Sequence, residues 1–243
     1  MELNAYALLI GAGASLGLYR VSRQRSGQWL DAGLLVLLFT LLGARGGFVL
    51  ERFSYYAATP AEIPFLQAGG LSGYGAVLGW LVGLGLAALL FRAPLLRLSD
   101  WLYPLIPPLG IAVYLACWQA GAAYGREAPL SVWGVPGPDE SGQIAPRWPL
   151  QPAAALALLA FYWLLELRTP LPRPAGWLSS LAGAWLVGVD LLVSLLRADP
   201  APHLAGGLRP DTLVDLAVLI LFLGIFTSLQ IIARKQSKPV IML

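Results

Sequence analysis

Residues 28–50 read QWLDAGLLVLLFTLLGARGGFVL. No charge occurs between Asp31 and Arg45, and the stretch meets the length of about 20 apolar residues that a helix needs to cross a bilayer. Six further segments qualify on the same ground: 3–19, 70–91, 101–120, 149–167, 176–196 and 212–233. The 101–120 segment holds Pro104, Pro107 and Pro108, which predicts a kink or a locally unwound turn. The fold expected is therefore all-α: a polytopic integral membrane protein of seven transmembrane helices, forming a single domain over 1–243.

Composition agrees. Of 243 residues, 58% are hydrophobic and 12% are charged, the latter about half the share usual in a soluble domain. Mean hydropathy is +0.70. These values exclude a soluble globular domain, a disordered chain and a nucleic-acid-binding arm, so no nucleic-acid partner is expected. The single cysteine, Cys117, excludes an internal disulfide framework and a cysteine-rich metal site. Met1-Glu2-Leu3-Asn4 lacks a positive n-region, so the first apolar stretch is expected to be a retained span rather than a cleaved signal.

Basic residues set the orientation. Arg20, Arg23, Arg25, Arg92, Arg97, Arg168, Arg173, Arg234, Lys235 and Lys238 fall in one set of loops, whereas Arg52, Arg126, Arg147, Arg197 and Arg209 fall in the other. The richer set is cytoplasmic by the positive-inside rule, which places the N-terminus outside and the C-terminus in the cytoplasm. The outer loops are then 51–69, 121–148 and 197–211. They are longer than the cytoplasmic hairpins and mixed in charge, and loops of that kind carry function. No internal repeat is evident, which weakens an inverted-repeat transporter.

Ionisable residues inside spans are costly and mark sites or buried pairs. Asp31 and Glu51 lie at the rims of the second span. Arg45, Asp190 and Asp215 come from three different spans, yet at 1.5 Å per residue each lies roughly 5–10 Å below the outer boundary. A cation and two anions at one level point to a partly wet pocket opening outward, with Asp190 pairing with Arg45. A buried pair that merely fixes helix packing is the alternative. Glycines crowd this level: Gly43, Gly46 and Gly47 in one span, and Gly69-Gly70-Leu71-Ser72-Gly73-Tyr74-Gly75-Ala76 at the entry to the next. Small residues allow close helix approach, and they leave backbone N–H groups open to an anion at a helix N-terminus. His203 stands alone in an outer loop, and no metal site is expected around it because further ligands are absent nearby.

Gly43-Ala44-Arg45 with Phe48-Val49-Leu50, followed by the 69–76 run, resembles the prolipoprotein diacylglyceryl transferase family. That family carries a Gly-Ala/Gly-Arg motif and, about 25 residues on, Gly-Gly-Leu/Met-Ser-x-His-Gly-Gly. Cys117-Trp118-Gln119-Ala120-Gly121-Ala122-Ala123-Tyr124-Gly125-Arg126 is similar to its Asn/Cys-Phe-x-x-Gly-x-x-Tyr-Gly-Arg stretch. Pro149-Leu150-Gln151-Pro152, Arg197-Ala198-Asp199-Pro200 and Leu208-Arg209-Pro210-Asp211-Thr212-Leu213 resemble three later motifs in the same order. The resemblance covers about residues 28–233.

The resemblance implies transfer of a diacylglyceryl group from phosphatidylglycerol to a lipobox cysteine of a prolipoprotein, at the outer face of the bacterial cytoplasmic membrane, without cofactor or metal. Membrane phospholipid and prolipoprotein substrates are the implied partners. The expected site has Arg45, Tyr74 and Asp190 as catalytic residues, with Gly69, Gly70, Ser72, Gly75, Arg126, Arg197 and Asp215 binding lipid or phosphate. Several positions depart from the family pattern: its His is Tyr74 here, two of its Arg align with Tyr114 and Asp190, the Asn and Glu after the first Arg align with apolar or small residues, and the Glu that accompanies the second aligns with Ser194. A catalytically degenerate paralogue that binds lipid or a partner membrane protein is the alternative that these departures raise.

Overall fold

The computed structural model describes residues 5–24, 27–65, 70–129, 133–168, 173–200 and 208–236. Nine α-helices are found among them: α1 (Ala5–Gln24), α2 (Gln28–Glu51), α3 (Phe53–Ala58), α4 (Gly73–Leu90), α5 (Leu95–Leu102), α6 (Ile106–Gln119), α7 (Leu150–Arg168), α8 (Trp177–Leu196) and α9 (Pro210–Gln236). Six helical stretches are long and apolar enough to cross a membrane: α2, α4, α5 continuing through α6, α7, α8 and α9. Helix α1 spans 20 residues, but Gly11, Gly13, Ser15, Gly17 and Arg20 dilute its apolar character, and it falls outside that group. It packs along α6, where Gly13 lies over Pro108 and Ala112, and Gly17 lies over Leu105.

The proline-rich segment breaks as its sequence predicts. Tyr103–Leu105 forms a single 3-10 turn between α5 and α6, because each proline removes an N–H donor and clashes with the preceding turn. Two buried clusters flank this break. One gathers Val21, Val36, Leu84, Leu98, Leu102 and Leu105. The other gathers Tyr103, Tyr114, Leu158, Tyr162, Ala182 and Val189. Large apolar side chains point outward along the helices, among them Leu89, Leu167, Trp163 and Ile220. Outward apolar residues are expected where lipid is the solvent.

Helices α2 and α4 approach closely. A Cβ added at Gly43 would stand 2.7 Å from the Gly79 Cα, and one at Gly79 would overlap the Phe39 carbonyl. Only glycine permits that separation.

An antiparallel hairpin of β1 (Val135–Pro138) and β2 (Ile144–Arg147) lies within the 121–148 loop, in register Val135↔Arg147 and Pro138↔Ile144. The sequence of this loop predicts no strand. VPGP and IAPR lack the alternation that signals a strand, so the pairing is set by the turn. Asp139 Oδ1 accepts from the N–H groups of Ser141 and Gln143, both at 2.9 Å, and Asp139 Oδ2 accepts from Arg147 Nη2 at 3.2 Å.

The connections divide the bundle into two ends. The C-termini of α2, α6 and α8 meet the N-termini of α4, α7 and α9 at one end, joined by Ser72 N–H to Ala44 O at 2.9 Å, Ser194 to Thr212 at 2.9 Å and a bridge between Gly125 and Arg197. The C-termini of α1 and α7 meet α5 and the start of α8 at the other end, where Arg20 pairs with Glu166 and Asp100 accepts the Gly176 and Ser179 N–H groups at 2.8 and 2.9 Å.

Candidate active site at the α8–α9 end

Arg45 lies on the last turns of α2 and is buried. Its guanidinium donates to main-chain carbonyls: Nε to Ile63 O at 2.7 Å, Nη1 to Gly70 O at 3.0 Å, and Nη2 to Glu62 O and Phe65 O at 3.0 and 3.2 Å. The Phe48 and Tyr56 rings flank it at 5.7 and 5.3 Å. Hydrogen bonding to carbonyls is one way to hold a charge at membrane depth. The expected Arg45–Asp190 pair is not formed. Arg45 faces residues 62–65 and Gly70, whereas Asp190 on α8 accepts a hydrogen bond from the Tyr114 hydroxyl at 3.1 Å. The field of Arg197 reaches Asp190.

The glycine-rich entry to α4 wraps this same corner. Gly70 has φ +85°, and a Cβ there would run into the Phe48 ring and stand 2.8 Å from Arg45 Nη1, so both conformation and space require glycine. Ser72 caps α4 by accepting the Gly75 N–H at 3.4 Å. Gly75 presses against Gly43 and Gly47, which makes it a helix-contact residue. Tyr74 donates to Gly47 O at 3.2 Å, and the Glu51 carboxylate faces the hydroxyls of Ser72 and Tyr74. A Cβ at Gly73 would stand 3.6 Å from Asp190 Oδ2, so Asp190 lies against the first turn of α4. Gly69 and His203 lie outside the described residues.

Asp215 on α9 is 1% exposed, and neither carboxylate oxygen has a hydrogen-bond partner among the described residues. Asp190 and Asp211 are its electrostatic neighbours. Asp190 is thus within electrostatic reach of Asp215, and it is bonded to Tyr114 rather than to Arg45.

The cations of this end collect around the start of α9. Arg197 donates from Nε and Nη2 to Asp199 at 2.6 and 2.5 Å, and from Nη1 to Asp211 at 2.8 Å. Arg209 donates to Asp199 Oδ1 at 3.2 Å and to the Asp199 carbonyl at 2.6 Å. Burial opposes the charges in this network. The bonds from Arg197 and the field of Arg209 nevertheless hold the Asp199 carboxyl below the usual carboxylate range. Burial likewise works against the Arg197 guanidinium, and Asp199 with Asp211 outweighs it, pushing its pKa up. A cavity of about 200 Å³ opens beside this network, lined by Arg126, Arg197, Arg209, Ser194 and Thr212. Three guanidinium groups with two hydroxyls suit a phosphate.

Comparison with known proteins decides the family. The family described as LGT, prolipoprotein diacylglyceryl transferase, matches residues 1–230. The chain belongs to the prolipoprotein diacylglyceryl transferase family. It is 31% identical over 239 residues to the phosphatidylglycerol–prolipoprotein diacylglyceryl transferase of Bordetella avium (strain 197N), covering 92% of this chain and 86% of that protein. The proteins of the same name from Dechloromonas aromatica (strain RCB) and Nitrosomonas europaea (strain ATCC 19718 / CIP 103999 / KCTC 2705 / NBRC 14298) are 34% identical over 181 residues and 29% over 244. They cover 71% and 96% of this chain, and 67% and 80% of their own lengths.

Within this transferase-family chain, the structure gathers Arg126, Arg197, Asp190 and Asp215 at the α8–α9 end. Arg45 with Gly70, and Ser72 with Tyr74, sit around the adjoining entry to α4. Arg209, Ser194, Thr212 and Glu51 were not singled out from sequence as site residues. Arg209 carried a signal in its Arg-Pro-Asp setting at the head of the last span and Ser194 one in its alignment with a family Glu, but Thr212 becomes visible only when α8 and α9 pair.

Proposed function

We propose that this chain is a divergent phosphatidylglycerol–prolipoprotein diacylglyceryl transferase of the bacterial cytoplasmic membrane. It is read as multi-pass, with α1 as a seventh span, the N-terminus outside, and the α8–α9 end opening at the outer face. The observation that carries this reading is the cavity bordered by Arg126, Arg197 and Arg209. It lies beside a level of carboxyl and phenol groups at Asp190, Asp215 and Tyr114.

The cysteine sulfur of a prolipoprotein attacks the glyceryl carbon of phosphatidylglycerol. The C–S bond forms as the C–O bond to phosphate breaks, and glycerol phosphate leaves with the electron pair. The arginines bind the phosphate and stabilise the charge that builds on it. Ser194 and Thr212 orient it by hydrogen bonds. Asp190, held by Tyr114, takes the thiol proton. Tyr74 and Glu51 border the approach past the entry to α4. Arg45 acts by holding residues 62–65 and Gly70 beside that approach, a positioning role rather than direct contact with phosphate.

The departures fit one another. The two positions where the family has Arg are Tyr114 and Asp190, and these form a hydrogen bond. The exchange removes two cations together, so the phosphate is assigned to the Arg126–Arg197–Arg209 cavity instead. The second reading, a catalytically degenerate paralogue that binds lipid, is favoured by Tyr74 in place of the imidazole, because a phenol is not a base near neutral pH.

Complementation separates the two. In a bacterium depleted of its standard transferase, this chain restores lipid labelling of a reporter lipoprotein if it is the enzyme, and an Arg126→Gln/Arg209→Gln variant does not. Stable insertion without labelling identifies the degenerate paralogue.

A further inference from the structure

A second cavity, of about 580 Å³, opens at the opposite end of the bundle, where the C-termini of α1 and α7 meet α5 and the start of α8. Its size is that of a small-molecule site. Its lining includes Arg20, Arg97, Arg173, Asp100, Glu166 and Trp101.

The two carboxylates are already engaged. Glu166 pairs with Arg20 and accepts the Tyr103 hydroxyl at 3.4 Å. Asp100 caps α8 by taking the Gly176 and Ser179 N–H groups. Arg97 and Arg173 take part in none of the ion pairs found among the described residues. The neighbouring residues 25–26 and 169–172 contain no Asp or Glu. Two guanidinium groups from separate segments thus line one cavity whose acids are engaged by other partners.

We propose that this cavity binds the phosphate of an anionic membrane lipid from the leaflet on that side, with Arg97 and Arg173 as its ligands and Trp101 beside the glycerol region. A basic pocket between membrane helices is the chemistry that selects acidic head groups, and paired guanidinium groups suit a phosphate geometrically. The cavity lies at the far end of the bundle from the α8–α9 network, so it is a site separate from the transfer reaction. The proposal rests on the reading of this end as cytoplasmic only for naming the leaflet.

The test is native mass spectrometry of the full chain in detergent, offered equal amounts of dioleoyl phosphatidylserine and dioleoyl phosphatidylcholine. Neither probe is the proposed transfer substrate. The wild type should retain phosphatidylserine preferentially, and an Arg97→Gln/Arg173→Gln variant that elutes as wild type should lose roughly thirtyfold of that preference, at about 1 kcal/mol per arginine. An Arg23→Gln/Arg168→Gln variant, altered on the same end outside the cavity, should keep it. An equal loss in both variants, or no loss in the first, overturns the site. Added inorganic phosphate divides the two sources. If it stabilises the wild type through Arg97 and Arg173 while lipid retention ignores them, the anion site stands and the lipid source is overturned. Lipid retention needs no turnover, so a failed transfer assay leaves this result standing, and an active transferase without the preference refutes this site alone.

Discussion

Arg45 gathers the carbonyls of residues 62, 63, 65 and 70 around one guanidinium. Its charge, spacing and depth were legible in the sequence. Its partners were not, because they depend on how residues 62–65 and Gly70 come back to α2, which no local pattern encodes. Truncation would take that donor from the carbonyls of Ile63, Phe65 and Gly70 and leave Glu62 O only the Phe65 N–H. Arg45→Ala should therefore destabilise the protein by about 3 kcal/mol and open residues 60–65 to protease, as thermal unfolding and limited proteolysis would show. An unchanged melting temperature would contradict the positioning role. Asp199 gives a pH-dependent counterpart. Arg197 and Arg209 hold its folded pKa below the usual range, that is, below an unfolded value of about 3.9. The ionised carboxylate thus adds stability above that unfolded value, and the contribution is lost as pH falls through the folded one. Melting temperatures measured at pH 6 and pH 3 should fall more for the wild type than for Asp199→Asn, which has no such group to protonate.

At the scale of elements, the proline break and six of the membrane-length helices follow from composition alone, since apolar length and missing N–H donors are local properties. The sequence also placed a glycine-dense contact at 43–47 and 69–76. It could not tell packing from ligand binding there, because both need small residues. The structure assigns Gly75 to the contact with α2 and gives Gly70 a conformation of its own. Gly79→Ala should separate α2 from α4 and cost about 1–3 kcal/mol, read as a lower midpoint in thermal unfolding. A neutral result would mean that the two helices do not meet as closely as Gly79 and Phe39 do here. The 135–147 hairpin escaped the sequence reading for the opposite reason. Its strands are short and proline-rich, and Asp139 organises the turn between them through side-chain bonds that only the folded loop reveals.

For the whole molecule, charge is divided between the ends. The Arg126–Arg197–Arg209 end also carries Asp190, Asp199, Asp211 and Asp215. The opposite end is strongly basic, with Arg20, Arg23, Arg92, Arg97, Arg168 and Arg173 against Asp31, Asp100 and Glu166. That asymmetry is the basis for the proposed orientation. In a Cys117→Ser background, Trp133→Cys should react with a membrane-impermeant maleimide on intact cells, and Gln24→Cys should react only after permeabilisation. The reverse pattern would turn the molecule over and move the transfer site to the wrong face.

The central claim is transfer through the α8–α9 end. The most direct test reconstitutes the purified chain in phosphatidylglycerol nanodiscs with a lipobox peptide and follows peptide mass and released glycerol phosphate together. The account predicts that the peptide gains one thioether-linked diacylglyceryl group for each glycerol phosphate released, and that Arg197→Gln and Arg209→Gln each slow the transfer at least tenfold while the protein stays folded. A folded wild-type chain that retains phosphatidylglycerol yet leaves the peptide unmodified would contradict it.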